Sequence, residues 1–153
     1  MSSRYRNPET EKLDISRGDW LIVKKHLTAG ENKRMFRRMM DPNGGIDPVN
    51  VGTSKMVTYI LDWSIDDAAG KRVAILDQDD QTKADAFDNL PADDFREILT
   101  AVEAHEAKMQ AEREAAKNTQ DGAKESSPLS PSASTSGGDT ATSTNSTLMS
   151  IAS

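Results

Sequence analysis

Two histidines, an acidic run and a glycine pair are the residues whose types and spacing could do chemistry here. His26 and His105 fall in separate segments, and neither sits in the spaced ligand pattern that holds zinc. Both read as surface or half-buried histidines. Asp77-Gln78-Asp79-Asp80 opens like a calcium-binding loop. Its sixth position is Thr82, where the sharp turn needs glycine, and its twelfth is Asp88 rather than glutamate. The run therefore reads as a solvated acidic face. Asn43-Gly44-Gly45 is not followed by the Gly-Lys-Ser/Thr of a phosphate loop. The serines concentrate in residues 119–153, where no element is expected to orient a base or an oxyanion donor. The absence of cysteine excludes disulfides, thiol catalysis and cysteine-held zinc. No catalytic residue, metal ligand or cofactor is assigned, and an enzyme is not expected.

Binding is the chemistry that remains. Residues 1–60 carry a side-chain charge of about +4 and residues 61–118 about −8. The basic side centres on Lys24, Lys25, Lys33, Arg34, Arg37 and Arg38. The acidic side centres on residues 77–94 and the last helix. Either the halves attract within one domain, or a polar molecule docks a partner or stacks head to tail by self-association. The residues singled out for a partner are Arg34, Arg37 and Arg38 with Met35 and Met39, and Glu106 and Arg113 from the last helix. Methionine adapts to varied apolar surfaces. The alternative for Met35, Met39 and Met40 is ordinary core filling. The net charge of −6 gives no long-range attraction to nucleic-acid phosphates. The first six residues have no apolar stretch behind them, so a signal peptide is not expected. No run of about 18 apolar residues occurs, so no membrane contact is expected and the cytosol is the default address.

The elements that position these residues make a mainly helical α+β domain. Residues 1–13 read as an irregular segment, 14–118 as the folded domain, and 119–153 as a disordered Ser/Thr-rich tail. Asp19 to Leu27 is β-prone and predicts a strand, with Trp20 and Ile22 on one face and Leu21 and Val23 on the other. Thr28-Ala29-Gly30-Glu31 fits a capping box, with a helix to about Met40 striped by Met35, Phe36, Met39 and Met40. Asp41-Pro42-Asn43-Gly44-Gly45 ends it. Met56, Tyr59, Ile60 and Trp63 predict a helix from about Thr53, with a strand as rival because of the β-branched residues. A turn at 66–70, an extended 71–75 and a short helix ending near Phe87 to Leu90 follow. Pro91, Asp93 and Asp94 open a long last helix with Phe95, Ile98, Leu99, Val102 and Met109 on one face. It is expected to project beyond about Val102. Trp63 and Phe95 are expected in one core, with Trp20 nearby.

Three segments, in order, carry a family resemblance. They are Gly18-Asp19-Trp20-Leu21-Ile22-Val23-Lys24 with Leu27-Thr28 and Gly30-Glu31, then Ile60-Leu61-Asp62-Trp63-Ser64-Ile65-Asp66-Asp67 with Gly70, then Leu90-Pro91-Ala92-Asp93-Asp94-Phe95-Arg96-Glu97-Ile98 running into a charged helix. Over residues 14–118 the chain resembles the tail assembly chaperones of long-tailed, siphophage-type bacteriophages. The resemblance implies a non-enzymatic helper in the host cytoplasm, absent from the mature virion. Its implied partners are the tape-measure protein, kept soluble by the helper, and the tail-tube protein. It also implies a ribosomal frameshift near Ala116-Lys117-Asn118, whose codons can spell the slippery run A AAA AAC. The long Ser/Thr-rich tail departs from the family pattern. The rival expectation is a structural virion component, such as a tail-completion or head–tail joining protein, and a third is a host-directed small binding protein.

Overall fold

The computed structural model describes residues 8–122. Three strands, β1 (Thr10–Asp14), β2 (Trp20–Lys24) and β3 (Ile60–Trp63), form an antiparallel sheet in the order β1-β2-β3. Four helices complete the domain: α1 (Ala29–Met39), α2 (Pro48–Tyr59), α3 (Asp80–Asp88) and α4 (Ala92–Gly122). This is the mainly helical α+β architecture that the sequence predicts.

Alternation fixes which sheet face is buried. Leu13 pairs with Leu21, Leu21 with Trp63, and Val23 with Ile60, so these side chains share the face that meets the helices. A register shift between Ile22 and Val23 lets Ile60 and Trp63, three residues apart, both point inward. Met35, Met39, Met56, Val57, Ile75, Phe87, Ile98 and Val102 complete the core. Trp63 and Phe87 meet edge to face with centroids 5.0 Å apart, and both are 0% exposed. The Trp63 indole N–H donates to the Val73 carbonyl at 2.8 Å, so the buried ring leaves no donor unpaired.

Several expectations need correction. The segment 1–13 was expected to be irregular, yet β1 begins at Thr10. Its inward residues are Glu11 and Leu13, an alternation obscured by the charges around it. The helix expected from Thr53 through Trp63 begins at Pro48, capped by Asp47, and stops at Tyr59. The β-branched rival holds only for β3. Phe95 is partly buried at the edge of the core, and Trp20 lies on the outer sheet face beneath Arg72, 5.0 Å from the ring centroid. The shared aromatic core is therefore Trp63 with Phe87. Helix α4 stays packed through Val102, His105 and Met109, about two turns further than expected, and continues to Gly122. It thus enters the segment expected to be a disordered tail, whose remainder lies outside the described residues. α4 crosses α2 closely because Gly52 has no side chain. A Cβ there would stand 2.9 Å from Leu99 Cδ2.

Candidate partner-binding surface

Helix α1 starts from the capping box that the sequence predicts. The Thr28 hydroxyl accepts from the Glu31 N–H at 3.2 Å, and the Glu31 carboxylate accepts from the Thr28 N–H at 2.8 Å. Lys24 Nζ donates to the same carboxylate at 2.6 Å and so ties α1 to the end of β2. Partial burial pushes the Glu31 carboxyl up, but the hydrogen bonds from Lys24 and Thr28 together outweigh it and hold the group low.

That start sets which face of α1 turns inward. Met35 and Met39, one turn apart, are 4% and 6% exposed and belong to the core. Their expected partner-binding role is corrected accordingly, since no surface partner reaches them. The outer face carries Lys33, Phe36, Arg37 and Met40 at positions i, i+3, i+4 and i+7. Phe36 is 52% exposed and Met40 53%. The chain then reverses in a turn closed by Asp41, whose Oδ1 accepts from the Asn43 and Gly45 N–H groups at 2.7 and 2.9 Å. Gly44 takes φ +84°, the left-handed conformation that glycine accepts without strain. The reversal pairs Met40 with Ile46 across an antiparallel bridge. Ile46 is 64% exposed, and Val49, in the first turn of α2, is 83% exposed. Four of the five exposed large apolar residues among the described residues thus belong to this one corner; the fifth is Leu76.

The charged halves attract within the domain. Arg17 pairs with Asp94 at 3.4 Å, and Lys55 pairs with Glu103 and Glu106 at 3.2 and 3.0 Å. Arg38 pairs with Asp80 of α3 and donates to Thr58 Oγ1 at 3.1 Å. Arg38, expected at a partner, fastens α1 to α2 and α3 within the domain. Arg34 and Arg37 remain exposed beside Lys33, and none of the three has an ion-pair partner among the described residues.

Glu106 and Arg113 lie apart from this corner. Glu106 is engaged by Lys55 and by the Tyr59 hydroxyl, which donates to it at 3.3 Å. Burial first, and the Glu106 charge second, push the Tyr59 phenol up to about 12. Glu106, expected at a partner, thus takes part in a network within the domain. Arg113 is exposed, and its Nε donates to the Met109 carbonyl at 3.3 Å within its own helix. The sequence grouped these two with the arginines of α1, and the structure does not bring the sets together.

His26 is exposed, while His105 is 3% exposed, more buried than expected. Its Nε2 lies 2.9 Å from the Lys24 carbonyl, so it carries a proton. Its Nδ1 faces Glu11 Oε2 at 3.3 Å, and Lys108 Nζ donates to the other Glu11 oxygen at 2.7 Å. The Lys108 hydrogen bond holds the Glu11 carboxyl below the ordinary range against partial desolvation. The arrangement fastens β1 to α4. The acidic run after Asp77 is also structural. Asp79 caps α3, accepting from the Thr82 N–H at 2.9 Å and from its hydroxyl at 2.8 Å. Thr82, which replaces the glycine of a calcium loop, is a capping partner here. Among the described residues no three His, Cys, Asp or Glu side chains gather where a metal ion would sit, and no helix is long and apolar enough to cross a membrane.

The chain matches no family model, no curated protein and no solved structure.

Proposed function

We propose that this chain is a non-enzymatic tail assembly chaperone of a long-tailed bacteriophage. In this reading it acts in the host cytoplasm, binds the tape-measure protein before the tube encloses it, promotes addition of tail-tube subunits, and is absent from the finished virion. The observation that carries the reading is the apolar corner of Phe36, Met40, Ile46 and Val49. Exposed apolar residues gathered at one turn of a small domain, two of them paired across the Met40–Ile46 bridge, suit a surface that another molecule covers. A long helical partner that displays apolar stripes until it is packaged is one that needs such a cover. The ordered segments that resemble the chaperone family, from Gly18 to Asn118, support the same reading.

Co-expression with the tape-measure protein from the same genome tests it. The expected result is a soluble complex, where the tape-measure protein alone aggregates, together with absence of this chain from purified virions by mass spectrometry. Stoichiometric presence in virions would instead establish a structural component of the tail. Failure to keep the tape-measure protein soluble would remove the chaperone reading.

A further inference from the structure

The corner has a charge pattern as well as an apolar one. Among the described residues, Arg17, Arg38 and Lys55 of the N-terminal half pair with carboxylates of the C-terminal half. Lys33, Arg34 and Arg37, three cations within one and a half turns of α1, are left over. Lys33 and Arg37 flank Phe36 on the outward stripe that ends at Met40. Like charges packed this closely on one helix repel one another and gain from an external counter-charge. The main chain at the corner is already satisfied: Asp41 N–H donates to Gly45 O at 2.8 Å and Asp47 N–H to Met39 O at 2.7 Å. No free strand edge is offered there, so recognition runs through side chains.

We infer that the α1–α2 corner binds an amphipathic α-helix whose apolar stripe is bordered by carboxylates. The inference rests on the chaperone reading for the identity of the partner and on the corner alone for its chemistry. Side chains one turn apart on α1 match side chains one turn apart on a second helix, as in ordinary helix-on-helix packing. The apolar stripe of the partner covers Phe36, Met40, Ile46 and Val49, and its carboxylates reach Lys33 and Arg37, the two cations beside Phe36. An anionic membrane is the less suitable occupant. A membrane presents a broad anionic field that meets the acidic chain as a whole, whereas a helix can place its carboxylates opposite the corner's cations alone. Charge pairing at the rim makes the association fast and dependent on salt, while the apolar contacts set how long it lasts.

The test uses the full chain and two synthetic helical peptides of equal length. Both carry leucine at every third and fourth position. One has that stripe bordered by glutamate, the other by lysine. Fluorescence anisotropy is expected to show the glutamate peptide binding at least about tenfold more tightly than the lysine peptide, with the difference shrinking as salt rises. The triple variant Lys33→Glu, Arg34→Glu, Arg37→Glu is expected to reverse that preference. The double variant Ile46→Ser, Val49→Ser is expected to weaken both peptides. All five positions are exposed, so urea midpoints should stay at the wild-type value and confirm that the variants fold. Equal binding of the two peptides, or variants that bind as wild type does, overturns the inference. So does tighter binding to phosphatidylserine-containing vesicles that the same triple variant abolishes. The tape-measure protein separates the two claims. If wild type binds it and the corner variants bind it equally, the corner is wrong and the chaperone reading stands. If wild type ignores it yet binds the glutamate peptide through the corner, the chaperone reading fails and the corner stands.

Discussion

Phe87→Ala is the substitution that most directly tests how this small core is built. Phe87 is fully buried and meets Trp63 edge to face at 5.0 Å. Truncating a buried phenylalanine costs about 3–5 kcal/mol, of which the aromatic pair accounts for about 0.5–1.5. A domain of this size has about 5–15 kcal/mol of stability in all, so a third or more is at stake. With a urea slope of about 1–2 kcal/mol per M, the unfolding midpoint should fall by about 1.5–5 M. Phe95→Ala is the control. Phe95 is partly buried beside Gly52 and lines a groove with Phe87, Leu90 and Leu99 that opens to solvent. Neighbours and water can occupy the vacated space, so its loss should cost only about 1–2 kcal/mol. The measurement is urea unfolding followed by tryptophan fluorescence in a Trp20→Phe background, so that Trp63 alone reports. If Phe95→Ala proved as costly as Phe87→Ala, the assignment of Phe87 as the centre of the core would be wrong.

Lys83 is buried without an ion pair among the described residues; its Nζ donates to the Ile60 carbonyl at 3.2 Å, and desolvation lowers its pKa. Folding therefore disfavours its charged form, stability should rise with pH from the folded pKa towards the ordinary lysine value, and Lys83→Met should stabilise by about 1 kcal/mol in urea at neutral pH. Tyr59, raised to about 12, keeps its proton where an unfolded tyrosine loses one; its contribution is present below about pH 10 and fades as pH rises towards 12. Absorbance at about 295 nm in a Tyr5→Phe variant should show one phenol titrating late, and a midpoint near 10 would refute its burial against Glu106. Glu11 and Glu31 are both lowered, so their contribution is complete above the ordinary glutamate pKa and is lost as pH falls through the folded values. Glu31→Gln should flatten that acid-side loss in a pH series of thermal melts. Removing residues 123–153 should shift stability by less than about 0.5 kcal/mol, because their composition offers little apolar mass; a clear drop in melting temperature would show that they dock.

Elements with a local physical signature were legible in the sequence. The capping box at Thr28 and Glu31 satisfies helix-end groups by neighbours in the chain, and Asp93 and Asp94 stand in the first turn of α4, just after Pro91, where the helix dipole favours them, so neither helix start needs tertiary knowledge. β1 was not legible, because Thr10-Glu11-Lys12-Leu13-Asp14 has a single apolar residue and becomes a strand only by pairing with β2. The junction of α2 and β3 was obscure for a related reason. Met56, Tyr59, Ile60 and Trp63 fit helical spacing, but all four are buried, and a stretch buried on every side loses the periodicity that distinguishes helix from strand. The place of His105 depends on Glu11 and Lys24, 94 and 81 residues away in sequence, and no local pattern reports that.

The corner was half legible, and the reason lies in α1 itself. Met35 and Met39 lie within about 40° of one another on a helix of 3.6 residues per turn and Phe36 lies about 100° from Met35, so a core contact that takes only the first pair leaves Phe36 outside; Met40, where the chain leaves the helix, is exposed too. The four apolar residues exceed what the core takes, and the remainder is left for something else. The sequence alone does not say which pair goes where, since Met35–Met39 and Phe36–Met40 have the same spacing. The choice is made by tertiary contacts. Arg38, nearly a turn from Met35 and on the side away from Phe36, is drawn to Asp80 and Thr58 on α3 and α2, and the Lys24–Glu31 bond fixes the first turn. Those anchors turn Met35 and Met39 into the core and leave Lys33, Phe36, Arg37 and Met40 in solvent. Reversing the choice would bury Phe36 and Lys33 together and expose Arg38 without its carboxylate. Burying Lys33 and releasing Arg38 from Asp80 and Thr58 both disfavour the reversed arrangement, while the two apolar pairs differ little in what their burial contributes. The exposed stripe is therefore a consequence of how the paired charges are satisfied, and the cations it carries are those that the fold itself could not use.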